Sequence, residues 1–562
     1  MILKKIIRNF KTTIVVIAVA IFSVASFSFI DNDFEYVKNL DIFASMFREV
    51  NLYYVDSIDT GKLMKKGIDE MLNSLDPYTK YIPESEINDY RFITTGLYGG
   101  IGAVIRQKGE YAVISEPYEG YPAHKNGLLA GDIILKIDGL SAMGKKTDEI
   151  SQKLKGAAGT IVKLLIQREE NDLPFEKAIT REVIKVKSVP FYGIIRNGIG
   201  YIKLNNFTES ASSEIGVALK EMKATGKLLG LVLDIRGNPG GLLNEAVNVS
   251  NIFVEKGKDI VITKGKTKEN RKTFKTINDA IDRELPLAIL VNNGSASASE
   301  IVSGSMQDLD RAVIIGQRTF GKGLVQSTRP LSYNTQLKIT TSKYYIPSGR
   351  CIQAFDYTHR NENGSVGKIP DSMVTAFKTQ NGRTVYDGGG ILPDIITSPR
   401  KLSNISISLL NKNLIFDYAN YYYRRHPNHV LNDITISESD FADFQLFIST
   451  KDYDFITKSE KSLEELRKNA EEENYYAGLK SALDSLQTKL SHNKQEDILK
   501  NKKEIISIIE EEIAARYYYQ SGRIKEALFH DIEFDRAIDV LNDAGFYSGI
   551  LLGTVKANEQ KK

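Results

Sequence analysis

"LAILVNNGSASASEIVSGSMQDLDRAVIIG" (residues 287–316) has apolar runs at 287–291 and 313–316, with Ile301, Val302, Met306 and Leu309 at helical spacing between them. Neither run alternates with polar residues, so each predicts a strand buried on both faces. The segment between them predicts a helix, and the three together a strand–helix–strand unit. The texture recurs upstream: "GYIKLNNF" (200–207) and "LLGLVLDI" (228–235) read as strands, while "SASSEIGVALKEMKAT" (210–225) and "LLNEAVNVSNIFV" (242–254) read as helices. The expected fold class is therefore α/β, with a sheet covered on both faces by helices.

Working outward, the texture changes three times. Residues 32–95 carry apolar residues at helical spacing up to Asp76-Pro77. Residues 96–170 break into short alternating strands bracketed by glycine, as in "GLYGGIGAVIRQKGEYAVISEPYEG" (96–120), and predict a small β-rich module. The α/β block follows over 171–400. Residues 401–562 are rich in Glu, Lys, Leu, Ala and Tyr and predict a C-terminal helical domain. Its helices offer surfaces for self-association or for an adaptor.

The chain has 562 residues, 42% apolar and 26% charged, enough for several globular domains. Its net charge of +3, from 74 basic and 71 acidic residues, does not argue for a nucleic-acid partner. A single cysteine, Cys351, excludes an intramolecular disulfide. Six histidines without an HExxH pattern, only His426 and His429 being close together, argue against a metal site. At the N-terminus, Lys4, Lys5, Arg8 and Lys11 precede an uncharged stretch from Thr12 to Ile30. A basic segment followed by an apolar one predicts export, with residues 1–31 either a cleaved signal peptide or a retained membrane anchor. Ser23-Val24-Ala25 suits cleavage, while the length also suits a bilayer span. Either way the rest of the chain is expected in the periplasm, free or anchored to the inner membrane.

Ser295, Ser297 and Ser299 stand at the strand-to-helix junction. Ser297 with Glu300 forms a capping-box pattern, so one reading of Ser297 is a helix cap. The same place suits a nucleophile, because ligand sites of α/β sheets form at the carboxyl ends of the strands. The N–H groups of the first helical turn, Ala298 included, then face a developing oxyanion. A serine needs a base. His359 is the sole histidine in the α/β block and lies in the polar segment "DYTHRNENG" (356–364). Lys322, in "QRTFGKGLVQ" (317–326), is an alternative if burial lowers its pKa, and Gln326, four residues on, could orient the amine.

The run "GSASASEIVSGSMQDLDRAVIIGQRTFGKGLVQ" (294–326) resembles the active-site block of the carboxy-terminal processing, or tail-specific, proteases. The resemblance implies that Ser297 is the nucleophile, Lys322 the base and Gln326 its partner, with a family-like spacing of 25 residues between Ser297 and Lys322. "LVLDIRGNPGGLL" (231–243) resembles another family turn, with Ile235 where leucine is usual, and implies Gly240 or Gly241 as the second oxyanion donor beside Ala298. The fold implied is a crotonase/Clp-like α/β peptidase core. The 96–170 module resembles a PDZ domain, whose loop "YGGIGAVI" (98–105) would hold a peptide's terminal carboxylate on the N–H groups of Gly100, Ile101 and Gly102. His124 and Asn126 depart from the small residues common there.

Together these features imply a serine endopeptidase that uses no cofactor and cleaves proteins near unstructured C-termini. Two alternatives stand beside it: a Ser-His-Asp hydrolase using His359, and a non-catalytic PDZ scaffold.

Overall fold

The computed structural model describes residues 34–555 apart from 169–171, 362–363, 428–433 and 491–493. The predicted export segment and His429 lie outside the described residues. The chain divides into two units, 1–81 and 82–562. In the first, helices cover 34–53 and Thr60–Asn73, the second capped by Asp59, whose carboxylate accepts from the Lys62 N–H at 3.0 Å. Among the described residues no helix is long and apolar enough to cross a membrane.

The second unit opens with a short helix, Ile87–Thr95, and the β-rich module follows. Strands β1 (Ala103–Lys108), β2 (Tyr111–Pro117) and β3 (Ile133–Ile137) are followed by helix α1 (Thr147–Leu154), then β4 (Ile161–Gln167) and β5 (Phe175–Thr180). The five strands pair antiparallel in sequence order. Ile114, Ile134, Ile150, Val162 and Ile179 fill its core. The module runs past residue 170, because β5 must pair with β4 to bury Ile179 and the strand Glu182–Lys185 closes on Leu97–Gly100. Among the described strands β1 pairs only with β2, so its outer edge is the sheet's margin.

Next comes the α/β layer. Strands β6 (Phe191–Arg196) and β7 (Ile199–Lys203) form an antiparallel pair. Helix α2 (Ala211–Ala224), β8 (Gly230–Asp234), α3 (Leu243–Asn251), β9 (Leu287–Val291), α4 (Ala298–Asp308) and β10 (Val313–Gly316) follow. From β7 to β10 the strands are parallel. Every residue of β8, β9 and β10 is buried, as two-sided coverage requires. A hairpin of β11 (Leu324–Pro330) and β12 (Gln336–Tyr345) belongs to a second sheet, and β13 (Ile395–Ile396) then adds to the first beside β10.

The two faces of this sheet are covered from different parts of the chain. Helices α2, α3 and α4 pack on one, burying Leu219, Val249, Val302 and Met306 against Leu231, Leu233 and Ile289. After it, α5 (Asn404–Asn411), α6 (Leu414–Arg425), α7 (Glu438–Ile448) and α8 (Lys502–Ala527) build a separate helical core around Leu409, Tyr418, Phe444 and Ile509. The last helices, α9 (Ile532–Asn542) and α10 (Ala544–Leu552), return to the sheet. Phe534, Ala537, Leu541 and Ile550 cover Tyr201, Val232, Leu290 and Ile315 on its second face. The predicted two-sided coverage is thus completed by residues well beyond 400.

Candidate active site

At the carboxyl ends of β8 and β9 two turns are stitched together. The Ser295 hydroxyl donates to the Ile235 carbonyl at 2.8 Å, and that of Ser299 donates to the Asn238 carbonyl at 2.9 Å. The Ala296 N–H reaches the Asn238 carbonyl at 3.0 Å, and Asn292 Oδ1 accepts from the Gly237 N–H at 2.8 Å. Ser295 and Ser299 are fully buried. The outer two serines therefore hold the neighbouring turn, and the middle one is left at the surface of the cleft.

Ser297 is half-buried, with φ 56° and ψ −111°, a backbone conformation costly for any residue with a side chain. Such strain persists only where the surroundings over-determine it. Here they do: the Ser297 N–H donates to Glu300 Oε2 at 2.9 Å, the Glu300 N–H donates to the Ser297 carbonyl at 2.9 Å so that only the Glu300 half of the predicted capping box forms, and the Tyr344 hydroxyl donates to the Ser297 carbonyl at 3.2 Å.

Glu300 does more than cap. Its Oε2 also accepts from the Lys322 N–H at 2.8 Å, while Oε1 accepts from the Gly321 N–H at 2.7 Å and the Thr319 hydroxyl at 2.6 Å. The carboxyl is fully buried, and that desolvation pushes its pKa up to about 7 against the pull of four donors. The sequence signals only the cap. Nothing in it shows that the same carboxylate fixes the backbone carrying Lys322.

One cavity of about 420 Å³ brings Ser297, Ala298, Lys322 and Gln326 together with Gly240 and Gly241. Its walls are apolar at Phe92, Ile93, Leu243, Ile301 and Leu324. Gly321 and Gly323 let the Lys322 segment press against its neighbours: a Cβ on the first would meet Ala354 Cβ at 2.3 Å, and on the second the Gln353 nitrogen at 2.8 Å. The Gln326 amide donates to Thr340 Oγ1 at 3.1 Å. Lys338 also reaches the cavity, from β12, and was not singled out by the sequence.

The two glycines of the 235–241 turn separate. The Gly240 N–H donates to Asn238 Oδ1 at 2.8 Å, which corrects its expected role as an oxyanion donor. Its part is steric: a Cβ there would lie 2.9 Å from Ser297 Cβ and 3.0 Å from the Ala298 nitrogen. Gly241 stands next to it in the cavity wall.

His359 lies elsewhere. Its side chain is 84% exposed and pairs with Asp356 at 2.7 Å, and it is not part of the cavity. In the β-rich module, Gly100 ends the strand paired with Glu182–Lys185, and Ile101 and Gly102 turn into β1. The carbonyls of Ile101 and Gly102 accept from Ala123 at 2.7 Å and Tyr118 at 2.8 Å, which holds that turn in place. Gly102 has φ 72°, and a Cβ there would meet Tyr121 Cβ at 2.6 Å.

Comparison with known proteins agrees with this architecture. Residues 198–358 match peptidase family S41, residues 113–168 a PDZ domain, and residues 405–541 the C-terminal helical domain of probable PDZ-proteases. A carboxy-terminal-processing protease of Bartonella bacilliformis is 40% identical over 331 residues, 58% of this chain and 76% of that protein. A probable CtpA-like serine protease of Staphylococcus aureus is 38% identical over 321 residues, covering 56% of this chain and 63% of the relative. A solved photosystem II D1 C-terminal processing protease aligns with 64% of this chain and 93% of its own, at 27% identity and a TM-score of 0.35. The chain belongs to peptidase family S41, as a serine peptidase of the carboxy-terminal-processing kind that carries a PDZ domain.

Proposed function

We propose that Ser297 is the nucleophile and that the Lys322 amine takes its proton. Gln326, anchored by its amide on Thr340, orients that amine through its carbonyl oxygen. Attack on a peptide carbonyl gives a tetrahedral oxyanion held by the N–H groups of Ala298 and Gly241. Collapse, with the Lys322 ammonium returning its proton to the leaving nitrogen, releases the C-terminal fragment and leaves an acyl group on Ser297, and water activated by the again-neutral amine hydrolyses it. The observation that carries this reading is the single cavity shared by these residues, with the Ser297 and Lys322 backbones tied to one buried carboxylate.

The substrate class is proteins with an unstructured C-terminus. The terminal carboxylate would sit on the N–H groups of Gly100, Ile101 and Gly102 while the tail adds a strand along β1, whose outer edge is the margin of its sheet. The basic N-terminal segment and the apolar stretch after it support export to the cell envelope. N-terminal sequencing of the mature protein distinguishes a cleaved signal from an anchor.

The decisive experiment is cleavage of a protein carrying an unstructured apolar tail. Ser297→Ala and Lys322→Ala are expected to abolish it, and His359→Ala to leave it intact. Activity that survives Lys322→Ala but not His359→Ala would establish the Ser-His-Asp alternative. Activity undiminished in Ser297→Ala would return the chain to a binding role.

A further inference from the structure

The oxyanion turn is gripped from outside the peptidase core. Arg236, the residue before Gly237, extends toward the start of α9. There Nη2 donates to Asp531 Oδ2 at 2.5 Å, and Nη1 donates to Glu533 Oε2 at 2.5 Å and Asp531 Oδ1 at 3.1 Å. On the other side, its Nη2 and Nε donate to Asp234 at 2.6 and 3.1 Å. Lys203 Nζ bonds the Arg236 carbonyl at 2.9 Å, fixing the peptide that leads into the turn.

Both acids are themselves held. Asp531 caps α9 by accepting from the Glu533 and Phe534 N–H groups, each at 3.0 Å. Glu533 Oε1 accepts from the Thr397 hydroxyl at 2.8 Å and from the Gln317 amide. Phe534, next in sequence, is buried on the sheet face, so the carboxylates stand on an element that cannot drift. Along the chain they lie 295 and 297 residues from the arginine.

We propose that Asp531 and Glu533 are positioning residues for catalysis: by clamping Arg236 from the C-terminal helical domain, they set where the Gly237–Gly241 turn presents its donor to the oxyanion. The inference rests on the proposed role of that turn. Its physical basis is that a bidentate guanidinium–carboxylate pair fixes angle as well as distance. An oxyanion donor acts only if it is in place before charge develops. The helical domain is then a working part of the active site rather than an appendage.

The test uses the full-length protein and an unstructured peptide substrate. Single substitutions Asp531→Asn and Glu533→Gln are compared with Arg236→Lys and with the Glu533→Gln/Arg236→Lys pair. The cluster holds three acids, Asp234, Asp531 and Glu533, against Arg236 and Lys203, so neutralising one acid balances it and the variants are expected to fold. Expected for each single variant is a kcat lowered about tenfold with KM within about twofold, and affinity for a peptidyl boronate, a tetrahedral mimic, lowered in parallel. In the Arg236→Lys background, Glu533→Gln should cost less than about a further twofold.

Wild-type kcat in both acid variants, with Ser297→Ala inactive, overturns the inference and leaves the proposed function standing. An active Ser297→Ala removes the proposed function itself. A fall in kcat accompanied by a rise in KM and a lowered melting temperature also overturns it, because that pattern marks general loosening. Should Glu533→Gln not fold, Glu533→Asp, which keeps the charge and shortens the reach, is read by the same criteria, and its failure to fold would make Glu533 a folding element only.

Discussion

The backbone N–H groups of Ser297 and Lys322 converge on one oxygen, Glu300 Oε2, at 2.9 and 2.8 Å. The separation of the Ser297 segment from the Lys322 segment is therefore set by a buried carboxylate. Glu300→Gln replaces one accepting oxygen with an amide that donates, leaving N–H groups of one or both segments unpaired in the interior. Each buried unpaired group costs about 1–3 kcal/mol. A small misplacement of catalytic groups lowers rate by as much as about a hundredfold. The expected result is kcat down about ten- to a hundredfold, KM changed less than about threefold, and a lowered melting temperature, measured on the purified variant.

The same group makes stability depend on pH in an unusual direction. Burial holds the Glu300 pKa at about 7 in the fold against an ordinary 4.5. Between those values the native protein retains a proton that the unfolded chain releases, so this contribution is fully present below pH 4.5 and is lost as pH rises through about 7. Protonation, however, removes an acceptor from the four donors, so activity should fall on the acid side of about pH 7 even as this group favours folding. Denaturant midpoints and kcat measured across pH 5–8 in wild type and Glu300→Gln test both. The variant should lose this part of each dependence.

Much of this was legible in sequence, and the reasons can be named. Runs such as 287–291 and 313–316 advertise strands because burial on both faces leaves no position for a polar residue. The serine run and the Lys322 segment stood out through their resemblance to the active-site block of a known family, and one cavity brings them together. What the sequence does not show is which partners distant residues choose. Ser295 and Ser299 bond carbonyls 60 and 61 residues upstream, and nothing local announces those partners. Gly240 and Gly241 are alike in sequence, and only the Asn238 side chain decides whose N–H is taken. The β-rich module ends later than its composition suggests because Glu182–Lys185 is too short a strand to stand out without Leu97–Gly100 beside it.

Gly240 gives a steric prediction. Its φ of 102° already disfavours a side chain, and an added Cβ would approach Ala296 O at 2.8 Å as well as Ser297 Cβ at 2.9 Å. These contacts are with backbone and with the root of the Ser297 side chain, so nothing flexible can give way. Gly240→Ala is expected to lower kcat by about a hundredfold, because the added Cβ pushes Ser297 and the Ala298 nitrogen out of place, while the far-UV circular dichroism spectrum stays that of the wild type. An alanine variant with near-normal turnover would show that the turn does not carry the oxyanion.

The last helices decide whether the C-terminal region can be removed. α9 and α10 cover the sheet face formed by Ile199, Tyr201, Val232, Leu290 and Ile315, with Phe534 fully buried and its ring edge-on to Tyr201, centroids 5.4 Å apart. Removing so large a side chain from a packed core costs about 3–5 kcal/mol, enough to consume much of a typical domain's stability. Phe534→Ala should therefore lower the denaturation midpoint sharply. A chain ending at residue 530 would lose the whole layer and leave a continuous apolar face in water, and is expected to aggregate on expression rather than yield a smaller active peptidase. Recovery of a soluble, fully active protein from that truncation would show that these helices neither complete the core nor hold the turn at Arg236.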